Sequence, residues 1–142
     1  MINSDKGNDS HMPPGEMKFN LANAFLNSLK TRDWDLLRSI LDKNATWSLP
    51  GISLISGRSE GVEAVVKKAQ RIVSFDLMFR LNFILYGLNG MALSLHKTAA
   101  RGHLKLDEYW ATVCDISEDK IVAINTYLPD IEGINAFFSE EV

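Results

Sequence analysis

The stretch from Leu77 to Leu128 leaves this chain few folds to choose from. It follows the two-residue alternation of a strand, and three short turn signals break it: Asn89-Gly90, Arg101-Gly102-His103 and Ser117-Glu118-Asp119-Lys120. Strands are therefore expected over 77–88, 91–100, 104–116 and 121–128, with Asn89-Gly90 as the strongest hairpin signal. Strands of this length joined by tight turns form an antiparallel meander that has to twist and coil. One face of such a sheet needs a cover.

The cover lies upstream. Met17, Leu21, Ala24, Phe25, Ser28 and Leu29 recur at spacings of three and four, the stripe of an amphipathic helix. Asp33 is placed to cap a second helix whose buried side is Trp34, Leu37, Ile40 and Leu41. Ala45 to Leu49 reads as a short strand ending at Pro50-Gly51. Ser59 then caps a third helix with Val62, Val65, Val66, Ala69, Ile72 and Val73 along one face. Glu60 and Glu63 near its start and Lys67, Lys68 and Arg71 toward its end follow the order the helix dipole prefers. Pro129-Asp130 opens a short terminal helix with Ile131, Ile134, Phe137 and Phe138 apolar. Residues 1–15 are polar and aperiodic, so a disordered tail is expected there and His11 is not counted as a ligand. Residues 16–142 are expected to form one α+β domain: a cone-shaped, curved antiparallel sheet with N-terminal helices over its concave face and a short C-terminal helix.

A chain of 142 residues, 46% hydrophobic and 23% charged, can bury a real core. The net charge of −3 with no Lys/Arg block argues against nucleic acid as a partner. The single cysteine, Cys114, leaves no intramolecular disulfide and no Cys cluster for zinc. No His/Asp/Glu spacing resembles a metal centre, and Gly57-Arg58-Ser59-Glu60-Gly61 lacks phosphate-loop spacing. Neither metal nor cofactor is expected. No apolar run reaches the roughly 18 residues of a membrane span. A cytoplasmic protein without a membrane partner is the expectation.

Three segments carry a family resemblance: Leu41-Asp42-Lys43-Asn44-Ala45-Thr46-Trp47, then Gly57-Arg58-Ser59-Glu60-Gly61-Val62-Glu63-Ala64-Val65, then Glu118 to Val122 with Asn125-Thr126-Tyr127-Leu128-Pro129-Asp130. In this order of elements the chain resembles the nuclear-transport-factor-2-like superfamily. Within it, the chain resembles the SnoaL-like group, related to ketosteroid isomerase and limonene epoxide hydrolase. The resemblance puts the isomerase's general base at about Leu49 and its oxyanion acid at about Thr112, so both carboxylates are missing. The epoxide hydrolase's acidic pair falls near His96 and Thr126, another departure. The resemblance implies a homodimer, and function has to be argued from the site, because members of one fold do different chemistry.

The same register turns Ser94, His96 and Thr98, then Glu108, Trp110, Thr112 and Cys114, then Ile124 and Thr126, toward the cone, with Trp47, Leu49 and Phe83 as further walls. A turn centred on Arg101-Gly102-His103 places His96 opposite Glu108. A one-residue slip substitutes Asp107 and Tyr109. An imidazole beside a carboxylate is a proton-transfer unit near neutrality. The alternative for His96 is a strand histidine bonded to one neighbour with no chemical task. Trp47 and Trp110 read as core aromatics or as substrate platforms, and Cys114 as a buried, inert thiol. Leu93, Leu95, Tyr109, Ala111 and Val113 form an apolar outer face suited to a homodimer.

Three functions fit. The first is a cofactor-independent isomerase, cyclase or dehydratase acting on a small hydrophobic ligand, with His96 as acid/base and Glu108 orienting it. The second is a carrier or sensor sharing the pocket without chemistry. The third is a protein-interaction module.

Overall fold

The computed structural model describes residues 13–140. The expectations for residues 1–12 lie outside that range. Two helices come first, α1 (Pro14–Thr31) and α2 (Trp34–Ile40). Pro14 opens α1, where its missing N–H has no helical partner to lose. The helix buries Leu21, Phe25, Leu26 and Leu29 and stops at Arg32, which takes a left-handed φ of 57°. Asp33 caps α2 as its position suggests, accepting from the Leu36 N–H at 3.1 Å.

Strand β1 (Leu41–Leu49) follows α2 directly and begins well before the alternation at Ala45. A strand the sequence did not announce comes next. β2 (Gly57–Glu60) pairs with β1, with Ser59 opposite Trp47. Ser59 is thus a strand residue, and Gly61, at φ 92°, takes the cap position of α3 (Val62–Val73). The face of α3 is the expected one: Val65, Val66, Ala69, Ile72 and Val73 are buried.

The meander comprises β3 (Met78–Tyr86), β4 (Gly90–Arg101), β5 (Leu104–Ser117) and β6 (Lys120–Tyr127), and α4 (Ile131–Phe137) follows. Six strands form one open sheet in the order β2-β1-β6-β5-β4-β3. All neighbours are antiparallel except β1 and β6, which run parallel, so the sheet is mixed. Register shifts in β3 between Leu81 and Phe83, and between Asp115 of β5 and its neighbour Ile116, bend the long strands. The core lies between this sheet's inner face and the helices, with Phe25, Leu37, Val65, Ile124 and Phe138 almost fully buried.

The turns differ in kind. Arg101 pairs with Leu104, so the loop is Gly102-His103 alone, and Gly102 holds the positive φ of 60° that a type II′ turn needs at its first position. Glu118 (φ 50°) and Asp119 (φ 68°) both occupy the left-handed region, the type I′ pattern made without glycine. Asn89-Gly90 is not the centre of its hairpin. Gly87 and Gly90 bond to each other, which leaves Leu88-Asn89 at the tip. Gly90 is needed for packing: a Cβ there would lie 1.9 Å from the Cys114 carbonyl oxygen.

Candidate functional site

The two-residue loop at Gly102-His103 decides which side chains meet. It pairs His96 with Tyr109, Lys97 with Glu108 and Thr98 with Asp107. A three-residue turn would have paired His96 with Glu108, so the expected register is corrected by one residue. On β5 the expected parity stands: Glu108, Trp110, Thr112 and Cys114 face inward, and the last three are buried. On β4 it is reversed. Met91, Leu93, Leu95 and Lys97 are buried, and Ser94, His96 and Thr98 belong to the other face. Leu93 and Leu95 are therefore core residues, not part of the outer surface.

His96 and Glu108 consequently point to opposite sides of the sheet. On the outside, His96 Nε2 lies 2.6 Å from Asp107 Oδ1, the diagonal neighbour on its own face. Its ring stacks on Tyr109 with centroids 4.7 Å apart. Phe83 is also displaced. The register shift after Leu81 pairs it with Ser94 and leaves it 53% exposed.

Lys97 occupies the inward place foreseen for His96. It is 5% exposed, and its Nζ lies 4.7 Å from the Trp110 ring centroid and 5.0 Å from that of Phe79. Among the described residues no hydrogen bond or ion pair reaches this amine. Glu108, directly opposite, accepts instead from the Trp110 indole Nε1 at 2.7 Å. Burial pushes the Lys97 amine down to about 7. The two ring faces attract an ammonium by about 0.5–2 kcal/mol each, which tempers the shift without removing it. The other buried lysines differ: Lys68 donates to the carbonyls of Ile55 and Gly57, and Lys18 to those of Gly87 and Leu88.

Phe79 connects this amine to open space. Its ring lines a cavity of about 470 Å³ between the end of α1 and the start of β3, with Leu29, Lys30, Arg32, Val73 and Leu77. It also lines a neighbouring one of about 390 Å³ with Lys30, Arg80 and His96. Lys30 Nζ lies 5.5 Å from the same ring. Four cationic side chains thus gather around Phe79 in a chain whose net charge is −3.

Deeper in the cone the expected walls pack against one another. Trp47 donates its Nε1 to Thr126 Oγ1 at 2.9 Å and lies against Phe25. Leu49 and Ile124 are core residues. Thr112 is buried and pairs across the ladder with Thr126. Burial, with Asp115 adding to it, raises the Cys114 thiol to about 12, the inert state expected. Among the described residues no group of three or more His, Cys, Asp or Glu is placed to hold a metal, and no helix is long and apolar enough to cross a membrane.

Sequence reasoning missed Lys97 and Phe79. A signal for Lys97 was present: Met91, Leu93 and Leu95 are apolar while Ala92, Ser94 and His96 are small or polar, so the odd side of β4 reads as the core side.

No protein-family model matches the sequence, and no curated protein matches it either. Solved structures do match. Bal32a, from a soil-derived mobile gene cassette, superposes with a TM-score of 0.80 at 22% identity, over 87% of this chain and 97% of its own. An NTF2-like protein from Burkholderia xenovorans gives 0.72 at 13% identity, over 87% and 97%. An LEH-like epoxide hydrolase from M. tuberculosis gives 0.68 at 16% identity, over 87% and 90%. At these identities the likeness lies in the fold, and it covers nearly the whole of both chains. With its helices laid over one face of a bent, open six-stranded sheet, this chain has the nuclear-transport-factor-2-like fold.

Proposed function

We propose that the domain binds a small, largely hydrophobic molecule bearing an anionic or carbonyl group at the mouth of the cone, beside Phe79. One observation carries this reading: Lys97 is a buried amine without a polar partner, held between Phe79 and Trp110 and one ring away from the 470 Å³ cavity. An unpaired buried cation is costly, and a ligand oxygen is the group that would offset that cost. Lys30 and Arg32 add positive charge at the rim. An amine that exchanges its proton near neutrality suits isomerisation, aldol-type cyclisation or dehydration, each of which needs one proton shuttle. Lys97 is the better-placed base for that task, since the imidazole–carboxylate pair that does form, His96 with Asp107, lies on the outer face of the sheet.

The test is titration of the protein with 2-naphthoate, an aromatic carboxylate, followed by two-dimensional NMR. Saturable shifts centred on Phe79, Lys97 and Trp110 are expected. Shifts confined to other surfaces, or none, would remove the reading.

A carrier without chemistry is favoured by a different observation, the packing of Phe25, Trp47 and Phe138 within the cone, which leaves the open space at its mouth. A bound molecule recovered unchanged after prolonged incubation separates the carrier from the enzyme.

We also propose a homodimer through the outer sheet face, where Met78, Phe83, Leu85, Tyr109 and Tyr127 are exposed. Such residues on one face form an apolar surface that a second copy would cover.

A further inference from the structure

We propose that the Lys97 amine is a nucleophile that forms an imine with a small hydrophobic aldehyde or ketone admitted past Phe79. This deepens the binding reading above and rests on it. The geometry meets three conditions for such a lysine. The amine is desolvated, at 5% exposure. Its lone pair is not committed to a hydrogen bond or an ion pair among the described residues. Its two nearest aromatic groups, Phe79 and Trp110, hold their rings 5.0 and 4.7 Å from the nitrogen, and Phe79 also lines the 470 Å³ cavity, so a carbonyl compound seated there lies one ring away from the amine.

Burial also lowers the Lys97 amine below the ordinary lysine range, which enlarges its free-base share over that of a solvated lysine, and only the free base attacks a carbonyl carbon. Lys30, at the rim, is solvated and lies over Phe79. It suits attraction of a polar ligand group better than attack on one.

The step balances without a cofactor or redox partner. The Nζ lone pair forms a C–N bond to the carbonyl carbon as the C=O π pair moves onto oxygen. One proton passes from nitrogen to that oxygen and gives a carbinolamine. The C–O bond then breaks, nitrogen supplies the pair for C=N, and its second proton leaves with the oxygen as water. Hydrolysis reverses each step, so the adduct is transient unless reduced. Phe79 shields the amine from the cavity it lines, which limits the carbonyl compounds reaching Lys97 to those that can displace the ring.

The experiment uses the full chain, 2-naphthaldehyde as the probe and cyanoborohydride to reduce any imine, with intact-mass analysis and peptide mapping at pH 7.5. One saturable adduct at Lys97 is expected, formed at least ~10-fold faster than at solvated lysines, whose free-base fraction is far smaller at that pH. 2-Naphthoate, which cannot form an imine, should suppress it. Labelling spread over surface lysines with Lys97 unmodified would overturn the proposal. If naphthoate still binds beside Phe79 while Lys97 gives no adduct, the imine falls and the binding site stands. If neither occurs, both fall. Mapping on the unaltered protein keeps the test independent of whether Lys97→Met folds; where that variant folds, it should lose the adduct.

Discussion

Lys97 and Trp110 are bound to each other through the ring and not through the indole nitrogen. The Lys97 Nζ lies 4.7 Å from the ring centroid, while Trp110 Nε1 donates to Glu108 Oε1 at 2.7 Å. The acid that faces Lys97 across the β4–β5 ladder is therefore engaged with the tryptophan edge, and the lysine keeps only aromatic faces. A carboxylate–indole bond and an amine–ring contact thus share one side chain.

Stability should rise with pH through this lysine. The unfolded amine titrates near the ordinary 10.5 and the folded one at about 7. Between those values the unfolded chain holds a proton that the folded chain lacks, so raising the pH favours folding. The cost of the buried charge is present in full below about pH 7 and gone above 10.5. Lys97→Met should be more stable than the unaltered protein at pH 6, by on the order of 1–4 kcal/mol once the attraction of the two rings is set against the cost of the buried charge. The gap should narrow steadily toward pH 10. Urea denaturation at both ends of the range measures it, and a constant gap would contradict the assignment.

The Trp47–Thr126 hydrogen bond is buried at both ends. Thr126→Val keeps the shape and strands the indole N–H, a loss of about 1–3 kcal/mol. Adding Trp47→Phe removes the stranded donor, so the double variant should lose less than the sum of the singles. A double-mutant cycle on denaturation midpoints reads this coupling.

Two glycines should respond differently to alanine. At Gly90 the new Cβ would meet backbone, 1.9 Å from the Cys114 oxygen, so β4 and β5 would have to part. A loss of about 3 kcal/mol or more is expected, at or beyond the upper end for overpacking. At Gly57 nothing lies within 4 Å, and only the φ of 96° opposes a side chain, worth about 1–2 kcal/mol. Thermal melting should rank them in that order.

Cys114 should be silent toward a disulfide reagent at pH 8. Burial first, and Asp115 second, hold its thiol at about 12. Labelling should proceed only as fast as the protein opens, and should become immediate in denaturant. Fast labelling of the folded protein would show that the strand is accessible.

Tyr109 is 62% exposed on the outer face and stacks on His96. Tyr109→Lys should shift a dimer to monomer in light scattering, and the folded state should lose no more than about 0.5–1.5 kcal/mol, the worth of the aromatic pair with His96. A monomer of the unaltered chain at micromolar concentration would dismiss the dimer.

Much of this architecture follows from short-range rules. The stripe through Leu21, Phe25 and Leu29, the Asp33 cap, the valine face of α3 and the long strands after Asp76 each rest on residues a few positions apart. Local periodicity and capping chemistry act at that range, so they can be read from a sequence. β2 escaped because its four residues bury almost nothing, and their strand character comes from pairing with β1.

The site depended on tertiary structure. Whether His96 or Lys97 enters the core turns on one residue in the Gly102-His103 loop, because a slip of one exchanges every side chain between the faces of the sheet. The shift at Leu81 turned Phe83 outward in the same way. The alternation along β4 does point to its odd side as the core side, but neither loop length nor bulge position has a local energy large enough to declare itself. Both are set by how the whole sheet packs its apolar side against the helices, and that contest places a lysine between Phe79 and Trp110.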